Sequence, residues 1–487
     1  MVFIIEYSII VTRDACPAYL GEWRQYPLFF CAFLKGRKVM QTPRTNKMDT
    51  APTGKLLLSL SLPIMFSMLM QALYNIVDSI FIAHFSENAL SAVSLTYPMQ
   101  TLMIAISIGT YIGVNAYLGR TLGQRNMEAA RSIVQHSALL AGFSYLPFLF
   151  VGLFFTRHYF MLQTADAEII RYGVDYMSVC LVFSVSMFGQ QLFEKLLEAS
   201  GRSIFSMASQ LIGAAVNLLL DPLLIFGFMD FPALGARGAA IATVIGQFAA
   251  MVCGFTFHQL FNKDLRLSFV HFHFDKTILS EIYKIGLPAI LMQSIGSVSN
   301  FMMNGVLLTF STTAAAVLGV YYRLQNFIFM PIWGLTSGLL PILSYNVGAK
   351  HKERVISTLR YAMLYMAVIM LAGTTLFQLI PCQLISLFDA SDEMLSIGVN
   401  VLRIISTYFI LEGFCQISQT SFQAVGRGIA SLICCLTRQI IVLLPAAYVL
   451  SLSRDLNYVW VAYPIAGVVS VGLCLFQWKS VLKALHT

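Results

Sequence analysis

The chain alternates between long apolar stretches and short breaks that contain polar residues or glycine. Twelve stretches are long enough, at a rise of about 1.5 Å per residue, to cross a hydrocarbon layer of about 30 Å as helices. The pattern therefore predicts an all-α polytopic membrane protein with twelve transmembrane helices. The expected spans cover residues 56–85, 90–118, 132–156, 168–198, 204–229, 236–260, 280–308, 315–345, 355–380, 394–423, 429–451 and 458–480.

The first six spans and the last six repeat each other in sequence. Leu62-Pro63 recurs in the second half as Leu287-Pro288, and this displacement defines the repeat offset. The same offset relates further pairs: Asn75/Asn300, Tyr97/Tyr322, Gln100/Gln325, Gly109/Gly334, Gly113/Gly338, Gly123/Gly348, Gln191/Gln416 and Gly201-Arg202/Gly426-Arg427. Because each repeat holds an even number of spans, both enter the membrane from the same side. This predicts two parallel six-helix bundles, an arrangement found in transporters whose two lobes rock around a central site.

The repeat divides the chain into four segments. Residues 1–50 are weakly patterned, and we expect an N-terminal extension that is disordered or that results from a misassigned start, since Met48 begins a natural lead into the first span. Residues 51–260 form the N-terminal lobe and residues 280–487 the C-terminal lobe. Residues 261–279 alternate basic, aromatic and polar positions, which predicts a cytoplasmic linker that lies at the membrane surface.

Composition and charge support a lipid environment. Hydrophobic residues make up 57% of the chain and charged residues 11%, about half the charged fraction of a soluble domain. The net charge is +8, but the basic residues lie between spans and form no basic face, which argues against a nucleic-acid partner. Their distribution satisfies the positive-inside rule when both termini are cytoplasmic. We therefore expect a multi-pass protein of the cell inner membrane.

Buried acids occur in one repeat only. Asp78 lies in the first span and Asp221 in the fifth, whereas the equivalent positions of the second repeat are Met303 and Ala446. An ionised Asp within a membrane costs about 2.5–3.5 kcal/mol or more unless it is compensated. A residue needed only for lobe structure should appear in both copies, so these acids indicate a function specific to the N-terminal lobe.

The two acids share their depth with other polar side chains. Helix rise places Asp78, Asp221 and Thr243 about 10–12 Å below the outer surface, and Asn217 lies one turn from Asp221 on the same helix face. Two carboxylates, an amide oxygen and a hydroxyl suit a hard monovalent cation or a shared proton. We expect a cation-coupling site for Na⁺ or H⁺. The alternative is a structural role, such as compensation of the kink at Pro222.

Other intramembrane charges leave more than one interpretation. Glu412 and Arg438 lie about 15 Å from the inner surface, which favours an internal ion pair over a substrate contact. Arg323 in span eight either faces the central cavity or reaches the outer surface. A local charge network is expected for four residues at the inner end of span four: Glu194, Lys195, Glu198 and Arg202. The nine Cys lack any metal-ligand spacing, so we expect no metal site beyond a possible Na⁺ at the coupling residues.

With these residues, the sequence resembles the multidrug and toxic compound extrusion (MATE) family, and is most similar to its bacterial MepA-like or DinF-like branch. The resemblance covers residues 55 to about 480. It is carried by "LPIMFSMLMQALYNIVDSIF", "NLLLDPLLIFGF" with "GARGAAIATVIGQ", "YYRLQNFIFMPIWGLTSGLLPILSYNVGAK" and "FQAVGR".

The resemblance implies a V-shaped pair of six-helix bundles that exports amphiphilic, often cationic compounds by antiport with Na⁺ or H⁺, without a cofactor. It implies that Asp78, Asn217, Asp221 and Thr243 belong to the cation site, and that Pro63 matches a first-span proline associated with helix bending. Apart from Glu281 at its start, span seven holds no acid, whereas another branch carries one in this span, which puts a second cation site in doubt. We expect a monomer surrounded by lipid.

The main alternative is a flippase of a lipid-linked saccharide or cell-wall precursor in the same superfamily. Such a protein needs cationic residues for a phosphate group, and Arg323 and Arg438 keep this function open. The acids confined to one lobe argue against it. The chain lacks a GxxxxGK[ST] phosphate loop and an HExxH motif, so the sequence indicates a transporter and not an enzyme.

Overall fold

The computed structural model describes residues 47–227, 232–270, 272–388 and 390–484. The prediction for the N-terminal extension therefore lies outside the described residues, apart from positions 47–50. Within the described residues all regular structure is helical, which confirms the predicted fold class. In the described ranges, ten helices are long and apolar enough to span a membrane, or twelve when each of two bent pairs forms one span.

The helices of the N-terminal lobe are α1 Lys47–Thr50, α2 Thr53–Phe85, α3 Glu87–Gly123, α4 Met127–Phe154, α5 Thr156–Met161, α6 Ala167–Val182, α7 Val185–Ala199, α8 Ser203–Phe226 and α9 Ala236–Phe261. Those of the C-terminal lobe are α10 Lys276–Leu308, α11 Thr312–Gly348, α12 Lys352–Leu379, α13 Pro381–Ser386, α14 Asp392–Ser406, α15 Phe409–Ala424, α16 Gly428–Leu436, α17 Leu444–Ser451 and α18 Leu456–Ala484. A π-helical stretch, Thr437–Leu443, joins α16 to α17.

The predicted spans agree with these helices to within a few residues, but two of them are broken. Span four consists of α6 and α7, bent by 46°, and span ten consists of α14 and α15, bent by 48°. The breaks fall at Phe183-Ser184 and Thr407-Tyr408. Neither contains the Pro or Gly that usually marks a sharp kink, which is why the apolar pattern predicts one continuous helix at each place.

The sequence repeat is also a structural repeat. α3 begins at Glu87 and α11 begins at Thr312, the equivalent position of the second repeat. The same offset relates the first residues of α4 and α12, α5 and α13, α6 and α14, and α8 and α16. The turns before α8 and α16 each contain a glycine in the left-handed region: Gly201 has φ 74° and Gly426 has φ 86°. A side chain is strained in this conformation, so both copies keep glycine.

Three of the repeated glycine pairs lie where the two lobes pack together. A Cβ atom on Gly109 of α3 would lie 2.6 Å from the backbone nitrogen of Ile290 in α10, and one on Gly334 of α11 would lie 2.9 Å from that of Met65 in α2. Met65 and Ile290 are themselves equivalent positions of the two repeats. Gly113 and Gly338 form an equivalent pair of crossings, as do Gly123 and Gly348. The lobes therefore pack around an approximate twofold axis through glycine-backbone contacts.

These crossings lie toward the ends of α3 and α11 that adjoin α1 and residues 262–275, which we call the linker side. On the opposite side the same helix faces are exposed. Leu102, two turns before Gly109, is 46% exposed, and its counterpart Phe327 is 49% exposed. The lobes are therefore closed on the linker side and separated on the opposite side.

The linker is shorter than predicted and mostly irregular. α9 ends at Phe261 and α10 begins at Lys276, so α10 extends four residues into the segment assigned to the linker. The Asp275 backbone N–H donates to His136 Nε2 of α4 at 2.9 Å. The Asp275 carboxylate accepts from the Thr277 backbone N–H at 2.7 Å, and this bond lowers the pKa of Asp275. The linker is thereby fixed to the N-terminal lobe up to the first turn of α10.

Candidate functional site

A close helix crossing brings the predicted site residues together. α8 and α9 pack at Gly213 and Gly246, where a Cβ atom on either glycine would lie 2.7 Å from the carbonyl oxygen of the other. A Cβ on Gly246 would also lie 2.9 Å from Asn217 Cβ. Because both positions lack a side chain, α9 approaches α8 at the level of Asn217, and polar groups of the two helices meet.

Asn217 connects the polar residues of this crossing. Its Nδ2 donates to Asp221 Oδ1 at 3.3 Å and makes a longer contact of 3.5 Å with Thr243 Oγ1. Asp78 of α2 interacts electrostatically with Asp221. Helix rise places the two carboxylates and Thr243 about 8–10 Å from the nearest helix ends. The structure thus brings all four predicted residues to one level of the N-terminal lobe.

Within the part of the chain that the structure describes, the two carboxylates have no cationic partner. Asp221 is fully buried and Asn217 is 4% exposed. Among the described residues no Lys, Arg or His side chain lies within 4.0 Å of Asp78 or Asp221. Three buried oxygens accept no hydrogen bond from the described chain: Asp78 Oδ1, Asn217 Oδ1 and Asp221 Oδ2. Buried acceptors are rarely left unpaired, and an oxygen-only set of this kind can coordinate a hard cation or share a proton.

A small cavity adjoins the site. Asn217 and Thr243 line it on one side, and Gln190, Gln210 and Tyr74 line it toward the linker side. Its volume is about 30 Å³, which holds about two water molecules. Drug-binding pockets measure roughly 300–1,000 Å³, so this cavity is sized for an ion with water and not for a drug.

Aromatic pairs cover the end of the site that faces away from the linker side. The rings of Phe81 and Phe226 meet edge to face at 6.2 Å, and those of Phe85 and Tyr172 at 6.0 Å. These pairs join α2 to α8 and α6 within about two turns of Asp78. The acids therefore lie between an aromatic layer and the cavity.

Pro63 lies apart from this site. It is 15 residues from Asp78 on α2, a distance of about 22 Å along the helix. α2 runs through Pro63 as one helix, and the Pro63 carbonyl accepts from Ser67 Oγ at 3.0 Å. Ser61 and Met65, on either side of it, form the lobe crossings at Gly338 and Gly334. Pro63 is therefore placed at the lobe interface.

In the C-terminal lobe, Glu412 and Arg438 form the ion pair that the sequence analysis favours. Gln416 Nε2 also donates to Glu412 Oε1 at 2.8 Å. Arg438 lies in the π-helical stretch, so the pair joins α15 to the segment between α16 and α17. This arginine is therefore held within the lobe by Glu412.

Arg323 faces the space between the lobes. It is exposed and lies 11 residues, about three turns, before Gly334 on the same face of α11. That face packs against Met65 of the other lobe at Gly334. Farther from the linker side, the lobes separate and leave a cleft between them. The same face of α11 therefore presents Arg323 to this cleft.

The charge network predicted at the inner end of span four forms only in part. Lys195 pairs with Glu198 at 2.7 Å, but Glu194 accepts from two glutamine amides, Gln190 at 2.8 Å and Gln210 at 2.6 Å. Adjacent residues on a helix do not face each other, which is why Lys195 meets Glu198 and not Glu194. The sequence analysis missed Glu194 as a neighbour of the cavity. The sequence signal that could have identified Glu194 is that its counterpart in the second repeat, Gln419, is neutral.

Comparisons with known proteins agree with this architecture. The sequence model of the MatE family matches residues 63–223 and 288–449, one block in each lobe. The multidrug export protein MepA of Staphylococcus haemolyticus is 28% identical over 87% of this chain and 92% of its own length. A FAD transporter of Shewanella oneidensis is also 28% identical, over 88% and 94%.

Solved structures show the same fold. A transporter of the MOP superfamily from Pyrococcus furiosus, described as having a binding pocket of reverse polarity, superimposes with a TM-score of 0.84 at 24% identity, covering 92% of this chain and 100% of that one. The outward-facing conformation of a multidrug resistance MATE family transporter gives 0.84 at 23% identity, with 92% and 99% coverage. Because the family match covers both six-helix repeats, the chain belongs to the MatE family, whose members are multi-pass membrane transporters and not enzymes.

Proposed function

We propose that this protein exports amphiphilic, often cationic small molecules across the cell inner membrane in exchange for Na⁺ or H⁺. One observation carries the coupling: within the described residues, the fully buried Asp221 and the partly buried Asp78 have no cationic partner, and three buried oxygens of the site are unpaired. A bound cation compensates their charge, and its release makes the loaded and empty states differ in energy. Relatives named as multidrug export proteins support the class of substrate.

The sidedness of the cycle follows from the charge pattern. The positive-inside rule assigns the linker side to the cytoplasm, so the separated side of the lobes faces outward. In this state Asp78 and Asp221 take up a cation from outside. The loaded protein then closes outside and opens on the linker side, where the cation leaves and a new substrate enters. Coupling requires that cation and substrate favour different states, because a ligand with equal affinity for all states shifts nothing.

α2 connects the cation site to the lobe interface. It carries Asp78 near one end and packs through Ser61 and Met65 against α11 near the other. A cation that draws Asp78 toward Asp221 changes the position of α2 relative to α8. Pro63 lies between Asp78 and the linker-side end of α2, where its missing N–H lets the helix bend at low cost. The movement can therefore reach the glycine crossings that hold the lobes together.

The test is ethidium efflux from a pump-deficient bacterium with an imposed Na⁺ or proton gradient. We expect Asp78→Asn and Asp221→Asn each to lower gradient-driven efflux at least about 5-fold, the lower range of measured coupling between sites. The exposed Asp264 of the linker provides a matched control, since Asp264→Asn should leave efflux unchanged. Intact efflux in both site variants contradicts the coupling assignment.

A second candidate function is transport of an anionic amphiphile, such as a phosphate-bearing molecule or a lipid-linked precursor. The exposed Arg323 in the cleft favours it, and one relative is named a FAD transporter. Liposomes that contain the purified protein separate the two functions. Uptake of FAD or of a lipid-linked precursor that is lost in Arg323→Gln, without ethidium transport, supports the second function. Ethidium transport that persists in Arg323→Gln supports the first.

A further inference from the structure

Glu194 is a buried carboxylate without an ion-pair partner among the described residues. It lies five residues before the end of α7, about 8 Å from the linker-side end of that helix, and it is 1% exposed. Both of its oxygens accept from neutral amides, those of Gln190 and Gln210. Lys195 is engaged with Glu198 instead. An intramembrane acid whose oxygens accept only from neutral donors is costly, which makes it a candidate functional residue.

The duplicated lobe shows that the fold does not need this acid. The position equivalent to Glu194 is Gln419, which is also buried, at 7% exposure. A neutral amide therefore fits the same place between the corresponding helices. Glu194 shares this one-lobe distribution with Asp78 and Asp221, which suggests a common task.

The cavity connects Glu194 to the cation site. Gln190 and Gln210, the two donors to Glu194, line the same cavity as Asn217 and Thr243. Gln210 is 11 residues before Asp221 on α8, a distance of about 16 Å. Tyr74 of α2 lines the same cavity. The polar side chains along the cavity therefore form a path with a carboxylate at each end, Asp221 at one end and Glu194 at the other.

The path continues from Glu194 toward the linker side. Glu198 is four residues further along α7 and so lies on the same helix face, one turn closer to the helix end. It pairs with Lys195 at 2.7 Å and accepts from Ser206 Oγ at 3.4 Å. The titratable groups near Glu194 in the described chain are Lys195 and Glu198 on its own helix, and Tyr74 of α2, which lines the same cavity.

We infer that Glu194 is a second, inner binding station for the coupling cation, which it receives across the cavity from Asp78 and Asp221 and passes on toward Glu198 and the cytoplasm. The ligand is a monovalent cation. A proton is held as the carboxylic acid of Glu194, and Na⁺ is held by the carboxylate with the side-chain oxygens of the cavity glutamines. The inference deepens the proposed function, since it assigns the inner half of the ion route.

Infrared difference spectroscopy of the full chain in lipid tests the station without any drug. The spectra compare Na⁺-free buffer at high pH with the same buffer after acidification, or after addition of Na⁺. We expect acid to produce carboxylic C=O bands, or Na⁺ to shift carboxylate bands. Glu194→Gln should remove one component and keep the component that Asp221→Asn removes. Glu281→Gln, at a partly exposed acid on α10, is the matched control and should remove none of these components.

A Glu194→Gln spectrum identical to that of the wild type overturns the inference, as does a wild type without ion-induced bands.

Transport then tests the route. Glu194→Gln should lower ion-driven ethidium efflux at least about 5-fold while equilibrium ethidium binding stays within about 2-fold of the wild type, since the fold and the cleft are unchanged. Unchanged efflux overturns the route, and a parallel loss of binding indicates a structural role instead. If the wild type shows both carboxyl components but moves no ethidium, the export function fails and the Glu194 station stands.

Discussion

Charged residues within the membrane fall into two kinds, according to whether the fold supplies a partner. Glu412 has Arg438 and the Gln416 amide. Asp78 and Asp221 have no cationic partner in the described chain. A paired charge is compensated inside the fold, whereas an unpaired one needs a ligand or a proton. The acid of the C-terminal lobe is therefore compensated within the fold, whereas the acids of the N-terminal lobe are left for the proposed cation.

The ion pair should be stabilising only while both partners are present. Arg438→Met leaves Glu412 buried without its partner, and we expect it to lower the free energy of unfolding by about 3–5 kcal/mol. The double variant Glu412→Gln, Arg438→Met removes both charges and should recover most of that loss. Thermal unfolding in detergent measures the difference. A single variant as stable as the wild type contradicts the structural role of the pair.

At the residue scale, the grouping of polar residues could be predicted where a comparison of the two repeats was available. Asp78, Asn217, Asp221 and Thr243 could be grouped because helix rise gave their depth and the second repeat lacked both acids. The partner of Glu194 could not be predicted, since it depends on Gln210 of another helix facing α7. Which side chains meet across helices follows from packing and not from hydrophobic periodicity.

Helices meet through glycine at the lobe interface, and these contacts set how closely the lobes approach. Gly109, Gly113 and Gly123 were recognisable as repeated positions in the sequence, but their contacts with the other lobe were not. The breaks in spans four and ten were also unpredictable, because neither contains Pro or Gly. Length and apolarity determine that a helix forms, whereas tertiary packing determines where it bends.

A single methyl group should test the glycine crossings. A Cβ on Gly338 would lie 2.9 Å from the backbone nitrogen of Ser61, so Gly338→Ala should destabilise the closed linker side by about 1–3 kcal/mol, as overpacking does. Gly319 on the same helix has no atom within 4 Å of its Cβ position, and Gly319→Ala is the control. Distances between spin labels on the linker sides of the two lobes measure the effect. If Gly338→Ala and Gly319→Ala give the same distance distributions, the contact at Gly338 does not hold the linker side closed.

The whole molecule is held closed on the linker side by polar contacts as well as by helix packing. Arg354 of α12 donates to the carbonyl oxygens of Met48 at 3.0 Å and Ala51 at 2.7 Å. Asp49 contacts Arg125 at 3.3 Å and the His351 ring at 3.2 Å. Residues 47–51 therefore connect the two lobes, and their contacts with α12 must break before the linker side can open.

Removal of the arginine should favour the state that is open on the linker side. Arg354→Gln loses charge-assisted hydrogen bonds worth about 1.5–3 kcal/mol, and we expect wider distances between spin labels on the linker side. Arg360, an exposed residue of the same helix, provides the control through Arg360→Gln. No change in Arg354→Gln relative to this control shows that the contacts do not hold the lobes together.

At the scale of the whole molecule, the number of spans and the two parallel lobes were predictable because long apolar runs and a gapless repeat fix both. The sidedness is still an inference from the distribution of Lys and Arg. The state of the lobes, closed on the linker side, could not be predicted, since one sequence must support both states of a transport cycle.

Equilibrium ethidium binding to the purified protein tests most directly whether the buried acids of the N-terminal lobe bind the coupling cation. In the wild type, added Na⁺ or a lower pH should weaken ethidium binding to saturation, by at least about 5-fold. Asp221→Asn should bind ethidium with an affinity that neither Na⁺ nor pH alters. An Asp221→Asn variant whose ethidium binding depends on Na⁺ or pH as the wild type does would contradict this role for the acids.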